Sequence, residues 1–94
     1  MQMQTRETLD TLKALAIKVA HLKIEPSTIR DNANLFDDCG LDSTSVIALV
    51  WEIEDAFGIQ VSEEEIEPEL FEDITKLAEF VELKRAASDG NGAS

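Results

Sequence analysis

Leu9, Leu12, Leu15, Ala16, Val19 and Leu22 follow one another at three- and four-residue spacing, as do Val46, Leu49, Val50, Ile53 and Phe57, and again Ile74, Leu77, Ala78 and Val81. Only a helix gathers side chains at that spacing onto one stripe, because a strand turns successive residues to opposite faces. Three such stripes in 94 residues leave little chain for a sheet, and nothing in the sequence reads as a strand pair. The pattern predicts an all-α fold: a small four-helix bundle with a long first loop and a short third helix. A first helix over about residues 5–23 must stop near Pro26, since the residue before a proline avoids the helical region. A second opens at Asp42-Ser43-Thr44-Ser45, a run of capping residues, and closes at Gly58. Ser62-Glu63-Glu64-Glu65 has the form of a capping box and opens the third, which Pro68 limits to a turn or two. The last helix starts near Asp73. Between the first two runs a connection rich in Asp, Asn and Ser, with Ile24, Ile29, Leu35, Phe36 and Leu41 to pin it onto the core. A loop of that length in a compact domain is more often functional than idle. The domain is expected to span residues 1–87. Residues 88–94, SDGNGAS, are small, polar and glycine-rich and are expected to form a disordered tail.

Charge narrows the function. Twenty acidic against eight basic residues give a net charge of −12, which repels nucleic-acid phosphates and anionic lipid headgroups and favours partners with basic surfaces. Residues 31–75 carry 14 of the carboxylates and no Lys or Arg. An asymmetry sustained over half a domain reads as an electrostatic docking face. No apolar run approaches the roughly 20 residues that a spanning helix needs. The N-terminus has no basic lead into an apolar stretch, so neither a secretory signal nor membrane insertion is expected, and the protein is expected to be a cytoplasmic monomer.

The inventory excludes most chemistry. His21 is the only histidine and sits in the first helix with no nucleophile motif beside it, so no catalytic residue is assigned and an enzyme is not expected. Cys39 is the only cysteine, flanked by Asp37 and Asp38 rather than cations, and reads as a structural loop thiol. A calcium loop counted from Asp31 would need glycine at position six and glutamate at twelve; those positions hold Phe36 and Asp42. No metal site follows, although weak divalent binding to so acidic a surface would be ordinary. What remains is Gly40-Leu41-Asp42-Ser43-Thr44. With Asp42 as N-cap, the Ser43 hydroxyl falls in the first turn beside unpaired backbone N–H groups and the positive end of the helix dipole, where a phosphate is well held. Ser43 could equally be no more than part of the cap.

The stretch LFDDCGLDSTSVIALVWEIEDAFGIQVSEEE resembles the second-helix region of the acyl carrier proteins, and the helix plan is similar over about residues 5–86. The resemblance implies that Ser43, with Asp42 and Thr44 beside it, is the site where 4′-phosphopantetheine, derived from coenzyme A, is esterified. The arm's thiol would then hold acyl groups as thioesters. It implies as partners a phosphopantetheinyl transferase and acyl-loading and acyl-processing enzymes of fatty-acid, polyketide or related lipid biosynthesis, with basic docking surfaces. Ile47 and Trp51 match positions where these carriers expose apolar residues to partners, and Glu54 and Asp55 match their acidic rim. Thr44 replaces the usual leucine, and Ser45 and Ala48 stand where acids are usual, which implies a specialised rather than a housekeeping member. Asp42 favours the acyl over the peptidyl branch. The other readings of the same residues are an acidic helical interaction domain without a prosthetic group and, third, a weakly calcium-responsive helical protein.

Self-repulsion among the carboxylates of residues 31–75 should relax as the Debye length falls to about 10 Å at 0.1 M salt. The melting temperature at neutral pH is therefore expected to rise with added NaCl; a flat or falling titration would show the acidic face to be internally compensated.

Overall fold

The computed structural model describes the backbone of residues 2–92 and the side chains of residues 6–87. Helix α1 is Gln2–Ala20, α2 is Ser43–Phe57, α3 is Pro68–Phe71 and α4 is Ile74–Gly92, with single 3-10 turns at Pro26–Thr28 and Glu63–Glu65. Among the described residues there is no strand, and the arrangement is the expected helical bundle. α1 packs against both α2 and α4, and α3 against α4. Helix α4 is assigned past Ala87, while the tail expected over 88–94 falls on residues whose side chains lie outside the described ones.

The three stripes meet as the spacing requires. Leu9, Leu12 and Ala16, then Val46, Leu49, Val50 and Ile53, then Ile74, Leu77, Ala78 and Val81 form one buried cluster with Ile59 and Phe71. Each large aliphatic side chain so buried contributes about 1.5–3 kcal/mol relative to exposure. Leu15, Val19, Leu22 and Phe57 pack at the edge of this cluster rather than within it. The Arg85 guanidinium covers the Phe57 ring at 5.7 Å, a cation–π contact that seals the outer end of α2 against α4.

Helix α1 ends three residues earlier than the expected 23. His21 lies at φ 58, in the left-handed region, with its N–H donating to the Lys18 carbonyl (3.3 Å) and the Leu22 N–H to the Ile17 carbonyl (3.0 Å). This pair of bonds is the Schellman closure, made without the glycine that would have announced it. His21 is therefore an exposed helix-end residue and not part of the helix body. Pro68 also differs from expectation. It begins α3 as its first residue, where its missing N–H has no partner to lose, and the Ser62–Glu65 segment closes only a 3-10 turn. Apolar Leu70 and Phe71 draw the following four residues onto the core as the separate helix.

The long connection is pinned by Ile29, Ala33, Leu35, Cys39 and Leu41, all buried. Phe36 is half-buried, and its ring meets Phe71 edge-on at 6.4 Å. Ile24 does not pin the loop: it is 46% exposed, just beyond the helix end. The backbone of the loop is stitched to the α3–α4 junction, with the Leu35 N–H donating to the Phe71 carbonyl (2.8 Å) and the Ile74 N–H to the Ala33 carbonyl (3.1 Å). A third tie is ionic. Asp31 accepts from the Lys13 ammonium at 2.6 Å and from both Arg6 guanidinium nitrogens at 3.1 and 2.8 Å. Those donors hold its carboxyl down at about 2, and the Lys13 side chain is almost entirely covered.

A carboxyl whose folded pKa lies below its unfolded value stabilises the fold above the unfolded pKa and loses that contribution as pH falls through the folded one. Asp31→Asn is expected to cost about 1–2 kcal/mol at pH 7, above the range of an exposed pair because Lys13 is left covered without its counter-charge. In chemical denaturation the gap between wild type and variant should close as pH falls from about 4 towards 2. A gap independent of pH would assign the loss to packing instead.

Candidate functional site

The site begins with a helix start. Asp42 has extended backbone (φ −117, ψ −174), and its Oδ1 accepts the Ser45 N–H at 2.8 Å. That bond satisfies one orphan donor of the first turn and holds the Asp42 carboxyl below the usual carboxylate range, so it is ionised at neutral pH. Upstream, Gly40 turns the chain at φ 74, a conformation that L side chains rarely adopt. There its N–H donates to the Phe36 carbonyl (3.1 Å) and the Leu41 N–H to the Leu35 carbonyl (3.1 Å). Leu41 is buried, while Asp42, Ser43 and Thr44 emerge exposed. Ser43 is thus the first residue of α2, with its own N–H and that of Thr44 lacking carbonyl partners within the helix.

Beside Ser43 lies an apolar cleft of about 400 Å³ walled by Phe36, Val46, Ile47, Ile66, Pro68 and Phe71. A second hollow of about 330 Å³ continues along α2 between Ile47, Val50, Trp51 and Glu54 on one side and Val61, Glu63 and Ile66 on the other. The two share Ile47 and Ile66 as a common rim. The interior behind Phe71 holds only about 10 Å³ of free space, at the lower limit for one water molecule.

Trp51 is 67% exposed and Ile47 48%, on the side of α2 away from its core stripe. Thr44 is exposed with them and Ala48 half-covered. Asp55 is exposed. Glu54 is half-buried, and its Oε2 accepts the Val61 N–H at 2.8 Å. The acidic stretch is partly met by the flanking cations. Lys18 reaches Glu52 (3.1 Å), Arg30 reaches Asp38 (3.7 Å) and Lys84 reaches Glu65 (2.9 Å). Cys39 is buried, and its burial together with Asp38 pushes the thiol pKa up, which makes it unreactive. Among the described residues no cluster of three or more His, Cys, Asp or Glu side chains could hold a metal ion, and no helix is long and apolar enough to cross a membrane.

Apart from Ile47, the cleft walls carried no functional signal in the sequence. Phe36, Ile66, Pro68 and Phe71 come from three separate segments, and only packing brings them to Ser43. A Pro-Glu-Leu-Phe run, with proline at a helix start and apolar residues behind it, was the one local sign.

The helical bundle thus presents an exposed serine at a helix start beside an apolar cleft. Residues 10–83 match the family model described as the phosphopantetheine attachment site. The chain is 33% identical over 61 residues, 65% of its length and 76% of the relative's, to an acyl carrier protein of Zymomonas mobilis. It is 39% identical over 51 residues, 54% of its length and 65% of the relatives', to acyl carrier proteins of a Bradyrhizobium species and of Nitrobacter hamburgensis. The chain belongs to the acyl carrier protein family. It is a phosphopantetheine-dependent carrier and not an enzyme, which sets aside an acidic domain without a prosthetic group. Carriers of this family serve partner biosynthetic enzymes.

With Trp51 standing largely in solvent, its fluorescence is expected to be red-shifted and readily quenched by acrylamide. Trp51→Ala should cost under about 1 kcal/mol, as exposed substitutions do. A loss of about 3 kcal/mol or more, the range for buried tryptophan, would mean that the indole closes onto the bundle in solution.

Proposed function

We propose that Ser43 is the residue esterified by 4′-phosphopantetheine, that Asp42 and Thr44 shape its surroundings, and that the chain presents acyl cargo to partners through Ile47, Trp51, Glu54 and Asp55. The observation that carries this reading is an exposed hydroxyl on the first residue of a fifteen-residue helix, opening directly onto an apolar cleft. A phosphodiester on Ser43 Oγ lies where the unpaired N–H groups of the first turn and the positive end of the helix dipole favour negative charge. Asp42, held ionised by its cap bond, fixes the helix start and thus the direction of the hydroxyl. When bound, the prosthetic arm supplies a terminal thiol on which acyl groups ride as thioesters. By ordinary bond dimensions the arm reaches roughly 20 Å, enough to enter a partner's tunnel while the domain stays outside.

Docking follows from charge. A carrier that visits several enzymes needs fast, weak complexes, which electrostatic steering supplies better than a large apolar interface. Trp51 and Ile47 form an apolar anchor with Glu54 and Asp55 as its acidic rim, suited to a phosphopantetheinyl transferase and to acyl-loading and acyl-processing enzymes with basic surfaces. Ser45 and Ala48 leave the first turns of this helix without acids, which supports a specialised role in fatty-acid, polyketide or related lipid biosynthesis. The protein acts as a cytoplasmic monomer in this reading.

Incubation with coenzyme A and a phosphopantetheinyl transferase is expected to add one phosphopantetheine mass to the wild type and none to Ser43→Ala. Ser45, the nearest competing hydroxyl, lies about 200° further round the helix at 3.6 residues per turn. Modification persisting in the alanine variant would overturn the assignment of Ser43.

A further inference from the structure

Two neighbouring glutamates each hold a backbone N–H, and only one of them has a cation. After Gly58 the chain turns back, and the Val61 N–H donates to Glu54 Oε2 on α2 at 2.8 Å. The next N–H, that of Ser62, donates to Glu65 Oε1 at 3.0 Å. Both Glu65 oxygens also accept from the Lys84 ammonium at 2.9 Å, and that ammonium lies 6.0 Å from the centre of the Phe80 ring. Backbone N–H, carboxylate, cation and aromatic ring thus form one unit, in which Oε1 serves the backbone and the cation together. Glu54 has the same fittings without the cation. Its Oε1 takes no hydrogen bond among the described residues, and no Lys, Arg or His there comes within ion-pair distance of it. An aromatic ring is at hand in Trp51, one turn earlier on α2 and largely exposed. Trp51, Glu54 and Asp55 line an open recess of about 720 Å³. Among the described residues the Phe80 and Phe57 rings are covered by Lys84 and Arg85, and the indole by no cation.

We propose that this recess receives one arginine side chain of a docking partner, its guanidinium stacked on the Trp51 indole and bonded to the Glu54 carboxylate; the proposal rests on the basic docking surface inferred above and goes beyond it in naming the group that enters and in making the indole a cation-binding face rather than an apolar contact. Charge selects a cation, since Glu54 and Asp55 line the recess with no cation of the chain's own paired to either among the described residues. Shape selects arginine over lysine. A planar, weakly hydrated guanidinium lies flat on an indole while its N–H groups reach sideways to a carboxylate, whereas an ammonium holds its water more tightly. The bond to Val61 stays in place, because Glu54 Oε1 is free and Glu65 already holds a backbone N–H and a cation at once. That bond also fixes the Glu54 carboxylate before the partner arrives, so less side-chain freedom is lost on binding.

Hexa-arginine and hexa-lysine, equal in charge, are titrated separately into the ¹⁵N-labelled chain without prosthetic group, with binding followed through the Asp55 amide signal. Hexa-arginine is expected to bind at least about fivefold more tightly, to shift the Trp51 Nε1–H signal and to give a nuclear Overhauser contact between arginine side-chain protons and the indole. Trp51→Leu, which keeps an apolar side chain, should weaken hexa-arginine at least about fivefold and change hexa-lysine by less than about twofold. Glu54→Gln keeps an acceptor for the Val61 N–H but not the charge, and should weaken hexa-arginine at least about threefold. Equal affinity of the two peptides for the wild type overturns the arginine recess and leaves the acidic face standing, as does a preference for arginine that survives Trp51→Leu, or undiminished binding to Glu54→Gln. If neither peptide shifts the Asp55 amide, the acidic docking face fails and the recess with it. Because Ser43 is unmodified throughout, none of these outcomes depends on whether Ser43 accepts phosphopantetheine.

Discussion

Everything about Ser43 hangs on how the connection between α1 and α2 is held, because a helix start can be no better placed than the chain that leads into it. Asp31 sits near the middle of that connection and draws in Lys13 and Arg6 from α1. The covered Lys13 ammonium has no other hydrogen-bond partner among the described residues, so the charge that holds the loop and the charge that needs compensating are the same. Two backbone bonds to the α3–α4 junction fix the loop's second half. The connection is thereby tied to α1 at one point and to α4 at another, and α2 is set between them with its first turn facing outward.

That placement has a chemical consequence. The Phe36 side chain leaves the loop and the Phe71 side chain leaves α3, and their edge-on contact forms the floor of the cleft beside Ser43. The tie between Leu35 and Phe71 holds those two rings in register. The loop is thus both the lead into the site and one wall of it, which explains why so long a connection persists in so small a domain.

The charge of the molecule is divided in the same economical way. Cations from the two flanks pair with Asp31, Asp38 and Glu65 in loops or turns, and with Glu52 on α2, where Lys18 ties it to α1. Among the described residues, Asp55, Glu63 and Glu64 stay exposed without such partners, Asp55 and Glu63 beside the protruding Trp51. The acidic surface is therefore not uniform: part of it holds the fold together and part remains to attract. Glu54 falls between the two, tied to a backbone N–H and, among the described residues, to no cation.

The residues that could be read from the chain alone are those whose role depends on near neighbours. Helical stripes, the Asp42 cap and the serine at the first turn all rest on spacings of three or four residues, so local geometry determined them. Trp51 was marked as an outward residue by the family resemblance; its helix spacing alone left a half-covered place at the core edge equally open. What escaped depended on contacts between segments far apart in sequence. Whether Pro68 stops one helix or starts another turned on Leu70 and Phe71 finding the core. The early end of α1 at His21 rested on a left-handed turn that no glycine marks. The covering of Lys13, the cleft beside Ser43 and the hold of Glu54 on Val61 required the tertiary structure, because a side chain's partner across the fold is set by how whole helices pack and not by the residues on either side of it.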